Sequence, residues 1–374
     1  MPVLRNIGYL ARCLPQGRQD DVHPIRAAAL VWDQGRIVWA GPESDLARAY
    51  AGLPSEDAGG RLVVPGLVDC HTHLAFGGWR GDEFELRMLG RSYQEIAASG
   101  GGIVSTMART RSLDEDALLA RCRGFLAEMA VLGITTVECK SGYGLDLATE
   151  IRLLEVYRRL GEAGPQRIVP TLLAAHVIPP EFRPDRQGYV RLVVEQIIPE
   201  AARRGLARFC DIFVEEGAFT VDEGREILNA GLRHGLRPKL HADQLSASGG
   251  AELAAETGAV SADHLECITP GGIAAMRQAG VVAVSLPLAT LYLRQPPMPA
   301  RQLIEAGVAV AVATDFNPGS APSFHLPLAM MLACTLQRMT PAEVLKGATV
   351  IAARALGVEG ECGSLSPGLS ADFA

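Results

Sequence analysis

From residue 61 onward, continuous apolar runs of about strand length alternate with longer amphipathic stretches. Eight such runs stand out: LVVPGLVDCHTH (62–73), GITTVECK (133–140), RIVPTLLAAH (167–176), RFCDIFVE (208–215), RPKLHAD (237–243), AVSADHLE (259–266), GVVAVSLP (280–287) and GVAVAVATD (307–315). The segments between them, such as LDEDALLARCRGFLAEMAVLG and LATEIRLLEVYRRLGEAG, repeat apolar residues at three and four positions. That spacing buries one face of a helix. Continuous apolar strands between helices predict a parallel sheet covered on both faces. Eight units predict an α/β fold of (β/α)8 TIM-like barrel type over residues 61–354. A doubly wound open sheet is the rival.

The first 60 residues have another texture. AALVWDQGRIVWAG reads as a β-hairpin turned at Asp-Gln-Gly, and ESDLARAYAG as a brief helix. At the other end, GSLSPGLSADFA reads as a hairpin whose second strand has just begun. Residues 1–60 and 355–374 are therefore expected to form a small β-sandwich domain from both termini. The stop in mid-strand leads us to expect that the natural chain runs further.

Composition narrows the function. The 374 residues carry a formal charge of −7 and no Lys/Arg cluster interleaved with aromatics, so no nucleic-acid partner is expected. No stretch has the uncharged apolar length of a membrane helix, and no secretory signal is visible at the N-terminus. The eight cysteines are scattered without a Cys-x-x-Cys pair. Reduced, buried thiols in a cytoplasmic enzyme are the expectation.

Polar residues collect where the β-runs end. The first ends in His71 and His73, the second in Lys140, the third in His176, the fifth in His241, the sixth in His264 and the eighth in Asp315. Five of the eight histidines stand at these ends. One histidine in an apolar run is more often a core residue than a ligand. Five at equivalent ends, which a closed barrel gathers at one mouth, predict a metal site. His71 and His73 share a strand face, and His241 and Asp315 complete a mixed nitrogen and oxygen set. Such a set suits zinc or iron better than magnesium or calcium. The metal would activate water, with Asp315 accepting its proton and His264 acting as a second catalytic group. Lys140 could be a carboxylated bridge between two metals, but that role belongs to a fourth strand end, so we expect one metal with Lys140 behind it.

The stretches HTHLAFGGWRGDEFELRMLGRSYQEIAASGGGIVSTMARTR (71–111), ECKSGYGL (138–145), LLAAHVIP (172–179), KLHADQLS (239–246), SADHLE (261–266) and ATDFNPGSAPS (313–323) carry a resemblance. With His-x-His on the first strand, histidines on the fifth and sixth and aspartate on the eighth, the chain resembles the amidohydrolase superfamily, and within it the imidazolonepropionase family. The resemblance implies one Zn2+ or Fe3+ ion on His71, His73, His241 and Asp315. It implies substrate contacts from Arg80, Tyr143, His176, Gln244, Asn317, Gly319 and Ser320, and hydrolysis of 4-imidazolone-5-propanoate to N-formimidoyl-L-glutamate in histidine degradation. A homodimer is expected by the same analogy. Arg80 suits a small-molecule substrate with a carboxylate tail. Gln244 stands where some relatives place a glutamate, and an amide cannot exchange protons usefully. That weakens the alternative of an aromatic-base deaminase, which would release ammonia and have no use for Arg80. A non-catalytic scaffold would have lost ligands that this chain keeps. The Gly100-Gly101-Gly102 run lacks the context of a phosphate loop and is expected to lie over the mouth as a mobile loop.

Overall fold

Pro65 and Gly66 divide the first long apolar run. Leu62–Val63 (β5) pairs with a small sheet, and Leu67–Asp69 (β6) begins the large one. Proline has no N–H to give a ladder, so the strand breaks there. The computed structural model describes residues 1–91, 95–96 and 100–374. Residues 92–94 and 97–99, inside the resembling stretch 71–111, lie outside the described residues.

Seven further parallel strands follow β6: Ile134–Lys140 (β7), Arg167–Ala175 (β8), Phe209–Val214 (β9), Arg237–Ala242 (β10), Ser261–His264 (β11), Val282–Ser285 (β12) and Val310–Val312 (β13). They lie in sequence order in one eight-stranded sheet. Each falls within one of the predicted runs. The seam between β13 and β6 is closed by a parallel bridge from Thr72 to Phe316 and by His73 N–H donating to Phe316 O at 2.8 Å. Below that bridge, Thr314 donates to buried Asp69 through its hydroxyl at 2.6 Å and its N–H at 3.1 Å. Burial raises the Asp69 carboxyl to about 7 despite these bonds. Among the described residues no helix is long and apolar enough to cross a membrane.

Side chains alternate across each strand. Val137, Cys139, Ile212, Leu240 and Ala262 belong to the large apolar core. Their neighbours Glu138, Lys140, Asp211, Lys239 and Asp263 are 0% exposed and are bonded to one another. All eight cysteines are free thiols, and burial pushes Cys122, for example, up to about 12.

The small sheet comprises Val3–Ala11 (β1), Pro24–Asp33 (β2), Arg36–Pro42 (β3), Ser55–Asp57 (β4) and β5. The hairpin of β2 and β3 turns through Gln34 and Gly35, both at positive φ, as a two-residue turn requires. The expected brief helix is instead two three-residue turns, Glu43–Asp45 and Arg48–Tyr50. So short a segment forms too few hydrogen bonds to propagate an α-helix. The C-terminal segment returns to this sheet. Leu365 N–H donates to Arg12 O at 2.9 Å and Ile37 N–H to Leu369 O at 2.8 Å. Leu365 joins Leu4, Ile7, Leu10, Leu30 and Ile37 in a core separate from the barrel's. Ala371 and Phe373 pack against it, so the second layer of this unit is the returning segment.

Candidate metal centre and active site

His71 and His73 follow β6, and His241 lies on β10. Asp315 stands three residues beyond β13 in a left-handed conformation, φ 55°. Such backbone is uncommon outside glycine, though aspartate tolerates it better than most, and it persists where the surroundings fix it. Here Asp315 N–H donates to His71 O at 3.0 Å. The four side chains converge. Asp315 Oδ1 is 3.4 Å from His71 Nε2 and 3.5 Å from His73 Nε2, and His241 Nε2 is 3.4 Å from His73 Nε2.

The protonation pattern behind them is set by carboxylates. His71 Nδ1 lies 2.6 Å from Asp263 Oδ2, and His241 Nδ1 lies 3.2 Å from Asp211 Oδ1. A neutral imidazole that donates from Nδ1 carries its lone pair on Nε2. Burial pulls His241 down to about 3 against the attraction of Asp211, so its ring is neutral. Burial likewise lowers His73. For His71, burial and Lys140 oppose a positive charge, yet Asp263 and Asp315 raise its pKa. Burial also opposes the charge on Asp315, but His71 and His73 hold its carboxyl well below the usual range.

Imidazole nitrogens and a carboxylate oxygen thus crowd together in a buried site, a costly arrangement without a cation. Buried His71 Nε2 has no hydrogen-bond partner in the structure. The residues present therefore fit a metal ion. His264 is the neighbour of this set. One of its ring nitrogens is within 4.8 Å of ligand nitrogens of His71 and His241.

A cleft opens on the centre. Its wall includes His73, His241, His264 and Asp315 together with Arg80, Tyr143, His176, Gln244, Asn317 and Ser320. The expected residues are therefore gathered, save that Gly319 stands behind Arg80. A Cβ at Gly319 would lie 1.5 Å from Arg80 Nη2 and 1.8 Å from its Cζ. Asn317 shapes the turn that carries these residues. Its Nδ2 donates to Asp315 O at 2.7 Å and to Ser320 Oγ at 2.8 Å, while its Oδ1 accepts from Gly319 N–H and Ser320 N–H, each at 2.8 Å. His176 Nδ1 donates to Gly142 O at 3.0 Å, and its ring stacks on His73 at 5.1 Å. Burial, with His73 and His241, keeps His176 far below its ordinary value. The Gly100–Gly102 run leads into the helix Ile103–Arg111, whose Ile103 lines the cavity. Gly102 N–H donates to buried Glu83 Oε1 at 2.7 Å.

Several contributors escaped the sequence reading. Phe213, Leu245 and Leu293 supply apolar wall. Glu150, fully buried at the start of the helix Leu147–Ala163, collects the N–H groups of Gly142, Gly144 and Leu145 and so fixes the loop that carries Tyr143. An acidic residue in a first helical turn is too common to have signalled this. Asp211, Asp263, Glu138 and Lys239 form the floor with Lys140. Lys140 Nζ is 2.7 Å from Asp211, 3.1 Å from Glu138 and 3.4 Å from Asp263. Burial disfavours its charge, but the three carboxylates outweigh that and hold it above an ordinary lysine. A carboxylated, anionic lysine does not fit among three carboxylates, in keeping with a place behind the metal. Paired polar residues at alternate positions, Glu138 with Lys140 and Lys239 with His241, were the available signal for this floor.

Comparison with known proteins agrees with this geometry. The model of the amidohydrolase family matches residues 62–374. The chain is 47% identical to an imidazolonepropionase of Geobacillus thermodenitrificans over 98% of its own length and 88% of that protein's. It is 50% identical to an imidazolonepropionase of Paracoccus denitrificans, over 94% of this chain and 88% of that one. Among solved structures, guanine deaminase from C. acetobutylicum with bound guanine superposes with a TM-score of 0.75 at 14% identity, covering 100% of this chain and 90% of that one. Atrazine chlorohydrolase from Arthrobacter aurescens complexed with zinc gives 0.69 at 17% identity, covering 100% and 86%. These distant likenesses speak for the fold alone. With its eight-stranded barrel, its histidine and aspartate centre and this degree of identity, the chain belongs to the amidohydrolase family, in the branch of the imidazolonepropionases.

Proposed function

We propose that this chain hydrolyses the ring amide of 4-imidazolone-5-propanoate to N-formimidoyl-L-glutamate. The metal would be Zn2+ or Fe3+, held by His71, His73, His241 and Asp315. The observation that carries this reading is a buried guanidinium, Arg80, in the same cavity wall as those ligands. A substrate with a cyclic amide at one end and a carboxylate at the other needs both.

Bound there, the metal supplies Lewis-acid chemistry, lowering the pKa of a water and polarising the ring carbonyl. The chain's residues do the rest. Arg80 binds the propionate as a charged fork. Tyr143 and His176 line the path to it, and Gln244 holds the ring through its amide. Asp315 takes a proton from the attacking water. His264 carries a proton to the ring nitrogen as the carbon–nitrogen bond breaks, so one water is consumed and no ammonia leaves. We divide the chain into a barrel of residues 61–354 and a smaller domain from 1–60 and 355–374; the presence of two cores favours two units, although Val63 belongs to the small core and Ala11, Cys13, Val22, Ala355, Leu356, Val358 and Cys362 to the large one. We assign the protein to the cytoplasm, where eight free thiols stay reduced.

The test is to add the purified protein to fresh 4-imidazolone-5-propanoate and follow loss of the ring absorbance, with and without a chelator. Rapid, chelator-sensitive loss that yields N-formimidoyl-L-glutamate without ammonia is expected. Ammonia release would favour a deaminase, and no loss above the spontaneous rate by folded, metal-loaded protein would move the substrate elsewhere.

Arg80→Ala is expected to raise KM about 30- to 100-fold, the loss of one charged hydrogen-bond pair, with kcat changed less than about threefold. Gly319→Ala should do the same without touching the charge, because its methyl group would displace the guanidinium. Steady-state kinetics check both, and an unchanged KM in either would remove Arg80 from the carboxylate site.

A further inference from the structure

We infer that Glu266 is the positioning residue for His264, taking its Nδ1–H and leaving Nε2 as the nitrogen that faces the cavity. The inference rests on the reading of His264 as the proton carrier. Three carboxylates are packed at the ends of β9, β10 and β11, and their bonding separates them. Glu215 is fully engaged with the neighbouring loop, since its oxygens accept from Leu245 N–H at 2.8 Å, Ser246 N–H at 3.3 Å, Glu216 N–H at 2.9 Å and the Ser246 hydroxyl. Asp243 is engaged with Ser248 Oγ, Gly250 N–H and Ala251 N–H, at 3.0, 3.1 and 3.0 Å. Glu266 differs. Its Oε1 accepts from Thr290 Oγ1 at 2.9 Å, but its buried Oε2 has no hydrogen-bond partner.

That oxygen faces His264. Oε2 and Nδ1 are 3.8 Å apart, the two side chains are 1% and 3% exposed, and Nδ1 is likewise without a partner. A buried acceptor and a buried donor, each unsatisfied and just beyond bonding distance, gain by closing on one another. His264 is in the left-handed conformation, φ 80°, as is Leu265 at 67°. This backbone breaks the alternation of β11 and turns the His264 ring to the cavity, while Asp263 stays in the floor. Thr290, at the buried face of the helix Pro287–Leu293, anchors the far oxygen of Glu266. With Nδ1 committed to Glu266, Nε2 is free to exchange a proton with the substrate, and the carboxylate stands ready beside the ring when it carries that proton.

The experiment uses the metal-loaded protein with 4-imidazolone-5-propanoate and compares wild type, His264→Ala, Glu266→Gln, Thr290→Val and the double variant H264A/E266Q. Glu266→Gln is expected to lower kcat about 10- to 100-fold, as loss of a histidine's orienting carboxylate does, with KM within about threefold and metal content and melting temperature unchanged. The double variant should turn over no more slowly than His264→Ala, because the two act as a unit. Nitrogen NMR of histidine-labelled protein gives a readout independent of turnover. The resonance that vanishes in His264→Ala should be protonated at Nδ1 in wild type and change in Glu266→Gln. Glu266→Gln with kcat within about twofold of wild type, beside an inactive His264→Ala, overturns the inference and leaves the role of His264 standing. A near-normal His264→Ala overturns the role of His264 instead. Multiplying losses in the double variant mark a structural effect and also overturn the inference. Where Glu266→Gln loses metal or melts early, Thr290→Val decides. It frees the carboxylate without removing it, so a fall in kcat at unchanged melting supports the inference and an unchanged kcat ends it.

Discussion

His241→Ala is expected to leave the protein folded but unable to keep its metal. His241 brings a neutral nitrogen into the centre, with Nδ1 turned to Asp211 at 3.2 Å and Nε2 turned to His73 at 3.4 Å. Alanine removes one of four proposed ligands. After dialysis, bound metal should fall below about a tenth of the wild-type content, and turnover by about four orders of magnitude, since the activating ion is gone. Elemental analysis together with a melting curve checks this. Full metal content would show that His241 is not a ligand. His264 is the substitute to suspect, since its ring centroid is 5.4 Å from that of His241. The double variant H241A/H264A would then reveal the exchange.

Lys140→Ala is expected to be the most destabilising single change in the barrel. Glu138, Asp211 and Asp263 face two ammonium groups, Lys140 and Lys239, and all five residues are fully buried. Without Lys140, three buried carboxylates share one cation. Breaking a buried ion pair by removing one partner costs about 3–5 kcal/mol, and here three contacts are lost together. The damage should spread upward, because Asp211 and Asp263 are the groups that orient His241 and His71. Lower thermal stability and weaker metal retention are therefore expected together. Thermal melts and elemental analysis of the same sample check this. A variant that melts within a few degrees of wild type and keeps its metal would show that the floor tolerates the missing charge.

Much of the molecule was legible from one dimension. The period of the apolar runs located all eight barrel strands, because a parallel strand buried on both faces has little option but continuous apolar sequence. The histidines and Asp315 were legible because strand ends in a closed barrel must meet at one mouth, and Arg80 through the family resemblance. The hairpin at Gln34 and Gly35 was legible because its turn demands residues that accept positive φ. What stayed hidden depends on partners distant in sequence. Nothing around Glu150 says that it holds the Tyr143 loop, nor around Glu266 that one of its oxygens is left facing His264. Asp263 and His264 are adjacent in sequence yet both serve the centre, one in its floor and one in the cavity wall, because a left-handed residue breaks the strand's alternation. The sequence by itself determined the barrel and which histidines and aspartate stand at its mouth, since these follow from local periodicity and from residue types at strand ends, while the family was legible only through the resemblance of its motifs. The tertiary structure alone decided which nitrogen His71 and His241 offer and which carboxylate steadies each ring, because proton placement on an imidazole is set by whatever group lies across from it in space.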